Sequence, residues 1–298
     1  MTKQGVYYLA RLSKIGNLTT EMVIQALLNP TPIVRYGNAW SFINTKEYIK
    51  DDIKYVAGRL VKYRPDAEVI VVDPTRRTEF VQQEPNLRLA SSPFVYIPDY
   101  SGIAFLRVSN QIEEWHFTKR FATIIEETHL RFFVACDINL IADMKTFAMK
   151  LLSLSCILRI SAKVVPPNPV FGPLWKPLRE YIRKRRSGQM VVREDSKSKE
   201  PLNTNLPAIV EAVANQQEGH PYMPKEDLPI GDAAVLMAAD GYGTGHIKGL
   251  KAGSVVFIRT ADTNRNFTFD KDPIAEDLFD EALHIFKSIQ RERHMDHD

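Results

Sequence analysis

Four prolines and a glycine fall within the ten residues VVPPNPVFGP, Val164–Pro173, and they limit most strongly how this chain can fold. Proline fixes φ near about −65° and has no amide hydrogen, so neither a helix nor a central strand runs through such a stretch. Regular structure must stop on either side of it, and it is the best hinge candidate. Charge changes across it as well. Residues 1–165 carry 21 basic and 16 acidic side chains, residues 166–200 carry nine and four, and residues 201–298 carry nine and sixteen. We therefore expect an N-terminal α+β domain over 1–168, a hinge, basic helix and polar linker over 169–200, and a smaller C-terminal α+β domain over 201–298. An acidic third joined to a basic remainder can dock on it, compete with a polyanion for it, or simply keep the chain soluble.

The 298 residues are 44% hydrophobic and 25% charged, the balance of a packed protein. No run reaches the ~18 apolar residues of a membrane span, and MTKQGVYYLARLSK lacks a signal peptide's apolar centre. A cytosolic location is the expectation. Cys136 and Cys156 have no CxxC partner and read as small hydrophobes in a reducing compartment. No metal or cofactor is expected.

Patterning predicts a mixed fold with antiparallel hairpins. Residues 6–12 read as a strand and 19–29 as a helix capped by Thr19 or Thr20, halted by Asn29-Pro30-Thr31-Pro32. Strands follow at 39–44 and 67–74, and 93–99 with 102–108 form a hairpin about a Tyr-Ser-Gly turn. A helix is expected over 113–129, with Trp115, Phe117, Phe121, Ile124 and Ile125 apolar, then strands at 131–139 and 156–165 around a helix at 142–152. Residues 193–205 read as a mobile polar stretch and 206–218 as a short helix. AAVLMAA (233–239) and SVVFIRT (254–260) read as strands joined by a glycine-rich loop, 240–253. The chain ends in an amphipathic helix, about Pro273–Arg293, with Ile274, Leu278, Phe279, Ala282, Leu283, Phe286 and Ile289 on one side.

The segment Leu174–Arg186 sets Lys176, Arg179, Arg183, Lys184, Arg185 and Arg186 against the single acid Glu180. At ~100° per residue, Arg179, Arg183 and Arg186 share one helix face, and Leu174, Leu178, Tyr181 and Ile182 the other. A packed helix with guanidinium groups facing outward suits an array of phosphates. A solvated charged face is the plainer reading.

Catalytic patterns are sparse. The glycine-rich loop has no Gly-Lys-Ser or Gly-Lys-Thr and joins two expected strands, so it fits neither a P-loop nor a dinucleotide fingerprint. It reads as a long hairpin loop, or as a mobile polyanion contact using His246, Lys248 and Lys251. A metal-dependent nuclease could draw on Asp73 and Asp99, but both also suit turns, as Asp73-Pro74 and Pro98-Asp99.

The order of GVYYLARLSK, SPFVYIPDYSGIAFLRV, PVFGPLWKPLREYIR and VLMAADGYGTGHIKGLKAG resembles the RexA-type phage-exclusion proteins. The sharpest match is Pro169-Val170-Phe171-Gly172. This resemblance implies a homodimeric, DNA-binding cytosolic protein of phage defence that acts through a membrane effector partner, and it transfers no catalytic residues. The run RKRRSG (183–188) departs from the family in its arginine density. The expectation is therefore largely sequence-independent binding of double-stranded DNA, through Lys176, Arg179, Arg183, Lys184, Arg185 and Arg186, with Lys248 and Lys251 adding a second contact. A nuclease effector and a protein–protein adaptor docking on an acidic partner remain the alternatives.

Overall fold

The computed structural model describes residues 3–166, 170–171, 173–197, 200–216, 222, 224, 226–293 and 296–297. Part of the expected hinge (167–169 and 172) and of the expected polar stretch (198–199) lies outside these residues. The protein is a mixed α+β structure built on antiparallel sheets.

The larger sheet has the order β13-β1-β6-β5-β4-β3-β2. Its strands are β1 (Gln4–Gly16), β2 (Ile33–Arg35), β3 (Asn38–Lys50), β4 (Ile53–Asp73), β5 (Thr78–Ile97), β6 (Gly102–Leu106) and β13 (Asn266–Asp270), and β7 (Val134–Leu140) also pairs with β1. Strict alternation buries both faces of this sheet. Phe94, Tyr96, Ile103 and Phe105 pack with α1 (Thr20–Leu28) and α2 (Glu114–Thr128). Val95, Ile97, Ala104 and Leu106 pack with α7 (Ala275–Glu292) on the other side. Thr19 caps α1, accepting the Met22 amide at 3.2 Å. α7 buries Leu278, Phe279, Ala282, Leu283, Phe286 and Ile289 as its spacing predicts, while Ile274 lies exposed before the helix. Trp115 also faces solvent and stacks on His116, so the apolar face of α2 begins at Phe117.

The smaller sheet has the order β10-β8-β11-β12, from β8 (Cys156–Val164), β10 (Met190–Asp195), β11 (Gly243–Lys251) and β12 (Ser254–Arg259). Behind it lie α3 (Met144–Leu152), α4 (Lys176–Lys184), α5 (Leu206–Asn215) and α6 (Ile230–Met237), sharing one core with its inner face. A short ladder joins β9 (Val170–Phe171) to β14 (Asp296–His297).

Several elements differ from the sequence expectation. AAVLMAA is not a strand: it forms most of α6 and the helical turn Ala238–Tyr242, buried from Gly231 to Tyr242. An apolar run without periodicity does not separate strand from buried helix, and alanine favours the helix. The glycine-rich segment is not a loop, because Gly243–Lys251 is strand β11, whose Gly243, Gly245 and Ile247 face inward. Gly241, at φ 89°, turns the chain from helix to strand, which a side chain would oppose. Residues 67–73 of the expected run 67–74 are the outer part of the 21-residue β4, and Arg193–Asp195 belongs to β10 rather than a mobile stretch.

The sheets are not partitioned at residues 168 and 201. β8, before the proline segment, pairs with β10 and β11 after it, and β13 returns to pair with β1. Residues 142–258 form one core, and residues 7–141 with 267–289 form the others.

A buried ionic network ties these parts together. Asp240 is 4% exposed; its Oδ2 accepts the Trp175 indole N–H at 2.8 Å, and its Oδ1 accepts Arg293 Nη1. Arg293 also donates to the Ala142 and Ala239 carbonyls. Arg11, fully buried on β1, donates Nε to the Asp240 carbonyl at 3.0 Å and lies over the Tyr242 ring.

Candidate nucleic-acid interface

Among the described residues, helices cover only one face of the smaller sheet. Along β8, Ile160, Ala162 and Val164 point into the helices, so Arg159, Ser161 and Lys163 point out. On β10, Val192 is inward and Val191, Arg193 and Asp195 are outward. His246 and Lys248 of β11 and Phe257 and Arg259 of β12 share this outward face.

Pairing aligns these side chains in rows. Arg193, Ser161, His246 and Arg259 form one row, and Asp195, Arg159, Lys248 and Phe257 the next. Val191 at 64% and Phe257 at 65% exposure mark the face as open to solvent.

Acids offset part of this charge. Asp195 accepts from Arg193 Nε at 2.6 Å and from Arg159, and these bonds hold its carboxyl below the usual range. Asp262 takes Arg259 at 3.0 Å; burial raises its pKa, but the bonds from Arg259 outweigh that and leave it lowered. Lys163 reaches Asp137 at 3.1 Å. Among the described residues Lys248 has only the Phe257 ring beneath it, 5.9 Å away. Exposed pairs of this kind are worth about 0–1 kcal/mol, so an arriving phosphate can displace them.

Helix α4 differs from the expected outward row. Trp175, in the preceding 3-10 turn, is fully buried on Asp240, which rotates the packed side of the helix toward Leu178, Ile182 and Arg179. Arg179 is 9% exposed and therefore does not face outward, whereas Tyr181 is 45% exposed instead of packed. Arg186 does not extend the helix face, because α4 ends at Lys184 and Arg186 has φ 54°. What α4 presents is a cationic end: Arg183, Lys184, Arg185 and Arg186 are exposed, and Arg185 lies over the Tyr181 ring at 5.8 Å. Cations there also satisfy the negative end of the helix dipole. Lys176 is exposed one helix length away and pairs weakly with Glu180 at 3.9 Å.

From Arg186 the chain needs only Ser187, Gly188 and Gln189 to reach Met190 of β10. At ~3.5 Å per residue the α4 end lies within about 14 Å of that strand. Lys248 lies on the open face beyond it. Lys251 does not join this group: it ends β11 three residues beyond Lys248 and has the opposite, inward-facing parity. Neither lysine is on a loop.

Asp73 and Asp99 do not converge. Asp73 caps the β4–β5 turn, accepting the Thr75 and Arg76 amides at 2.9 and 3.0 Å, and Asp99 is in the 3-10 turn Pro98–Tyr100 after β5. The 20-residue β5 separates them, roughly 60 Å along the strand. Among the described residues, no group of three or more His, Cys, Asp or Glu side chains could hold a metal ion, and no helix is long and apolar enough to cross a membrane. Burial pushes the Cys136 thiol well up.

Arg159, Lys163, Arg193 and Arg259 were missed by sequence reasoning. The alternation R-I-S-A-K over 159–163 and the G-T-G-H-I-K run of β11 carried the signal, had glycine been read as a small inward residue. No family model matches the chain, and no curated protein matches it in sequence.

Proposed function

We propose that the protein binds double-stranded DNA through its phosphate backbone, largely without reading sequence. One observation carries this reading: the exposed cationic end of α4 leads, within three residues, onto the edge of an open sheet face bearing Arg159, Lys163, Arg193, Lys248 and Arg259. Backbone contacts by such side chains position a protein without specifying bases. Single-strand binders instead stack successive bases on aromatic platforms, whereas among the described residues of this surface the rings are scattered: Phe257, the His246 imidazole and Tyr181, which lies under Arg185.

The RexA-type resemblance supports a setting in phage exclusion, as a cytosolic homodimer acting through a membrane partner. A second feature supports a second copy as partner. Beyond Tyr63 and Phe94 the β4–β5 ribbon has no neighbouring strand among the described residues, and Ile70, Val72, Phe80 and Val81 stand 50–67% exposed on it. A two-stranded ribbon with open edges is marginal alone and gains by pairing.

Fluorescence anisotropy with duplex, single-stranded DNA and RNA tests the proposal. With about five phosphate contacts per protomer, log K for duplex falls against log salt with a slope of roughly −4 to −5 for each protomer engaged. A flat salt dependence, or a preference for single strands, refutes it.

A further inference from the structure

We propose that the first turns of α2, together with β3 and β4 beside them, form a binding site for a phosphate group. Arg120 carries the argument. It is 7% exposed and has no hydrogen bond or ion pair among the described residues; the Trp40 ring, 5.6 Å from its Cζ, is what it lies against. Taking a charge out of water is costly unless an opposite charge meets it, so an unmatched buried arginine is a place for an anion.

Two more cationic side chains converge on the same indole. Lys62 of β4 is paired directly opposite Trp40 of β3, and its Nζ lies 5.9 Å from the ring. It donates at 3.1 Å to the neutral Gln111 Oε1 and has no ion pair among the described residues. His116, one helical turn before Arg120, stacks on Trp40 at 6.2 Å. Burial lowers the His116 pKa, and Arg120 and then Lys62 lower it further, against a smaller pull from Glu113. His116 therefore sits in the field of both cations. Acids on the same helix are engaged elsewhere: Glu113 accepts Arg107 and the Asn110 amide, and Glu127 lies between Arg131 at 2.8 Å and Arg35 at 3.7 Å.

The site is open to a ligand. Nε is the one nitrogen of Arg120 that is both buried and unbonded, so Nη1 and Nη2 carry the residue's remaining exposure. Lys62 and His116 are half-buried, and Trp115, stacked on His116, is 60% exposed. A guanidinium fork, an ammonium and an imidazole, from a helix and a strand, suit a tetrahedral oxyanion whose oxygens spread in three dimensions. A planar carboxylate would be served by the fork alone.

This inference does not depend on the DNA reading. Thermal melts and tryptophan emission of the full chain would be followed in phosphate, with acetate and chloride at matched ionic strength. Phosphate at about 20 mM is expected to raise the melt by about 4 °C, as for a Kd of about 1 mM, and to change the emission of Trp40 and Trp115. Arg120→Met keeps a chain over Trp40 and removes the charge. It should leave the phosphate-free melt unchanged or raised and abolish the phosphate shift. An arginine that only packs would show the opposite, a lower melt without phosphate and an undiminished shift with it, and that result overturns the proposal. Should Arg120→Met lose both, Lys62→Gln at its half-buried position decides: phosphate weakened by at least about 10-fold upholds the site, and unchanged affinity overturns it. Equal effects of phosphate, acetate and chloride also overturn it, because ionic strength then explains them. Arg185→Glu with Arg186→Glu should weaken duplex DNA and spare the phosphate shift, which separates this site from the α4 end. Duplex affinity of the Arg120 and Lys62 variants identifies the source: a loss assigns the site to backbone phosphates, and unchanged affinity to a free phosphate compound.

Discussion

Removing Arg293 should be among the most damaging single changes in this protein. Its guanidinium is 4% exposed and pairs with the equally buried Asp240, which also holds Trp175 at the start of α4. Among the described residues, Arg293→Met leaves the Asp240 carboxylate with the indole donor alone, in a buried site. Breaking a buried pair from one side costs about 3–5 kcal/mol. At ~2–3 °C per kcal/mol for a chain of this size, the melt should fall by roughly 6–15 °C. Asp240→Asn should cost less, about 2–3 kcal/mol, because the Ala142 and Ala239 carbonyls still receive Arg293. The double variant has neither stranded charge, so its loss should fall short of the sum by about 1–3 kcal/mol. Urea unfolding followed by both tryptophan fluorescence and circular dichroism measures the cycle and tests whether the cores unfold together. Arg293→Met within about 1 kcal/mol of wild type, or strict additivity, refutes the view that this network joins the cores.

Charge reversal at Lys184, Arg185 and Arg186 should abolish duplex binding with little change in the melt, since all three are exposed; unchanged affinity would remove α4 from the interface. Reversing Arg159, Arg193 and Lys248 should weaken duplex binding in the same assay and lower the salt slope by about 2–3, and an unchanged slope would exclude the sheet face. Burial pushes the Asp232 carboxyl up from 3.8 to about 6, against the hydrogen bond from Thr204 and with help from Glu194. The fold therefore prefers the protonated acid: this stabilisation is complete below pH 3.8 and is lost as pH rises through about 6. The loss is about 1–2 kcal/mol, discounted from the full linkage value because Thr204 is partly open to water, and Asp232→Asn should flatten the dependence of the melt on pH between about 4 and 7. Equal pH profiles for the two proteins would assign the effect elsewhere. Ile70→Lys with Val81→Lys on the β4–β5 ribbon should convert a dimer to monomer in sedimentation, and an unchanged mass would clear the ribbon of that role.

Local pattern alone determined the mixed fold, the β5–β6 hairpin, the capped α1 and the apolar stripe of α7, because hairpin turns, caps and helical spacing act between residues close in the chain. It also located the dense cationic run at 183–186. Tertiary structure decided the rest. Whether AAVLMAA became strand or helix depended on being enclosed by α4, β8, β10 and β11, which no short-range period encodes. Arg179 was turned inward by Trp175, whose orientation follows from Asp240, 65 residues away. The basic face exists because β8 pairs with both β10 and β11 across the proline segment, bringing together arginines and lysines that are each unremarkable on their own strands. The return of β13 to β1, and of α7 to the far face of the larger sheet, is likewise set by burying two apolar surfaces at once. Such choices depend on which remote surface is left uncovered, a property of the assembled chain and not of any window within it.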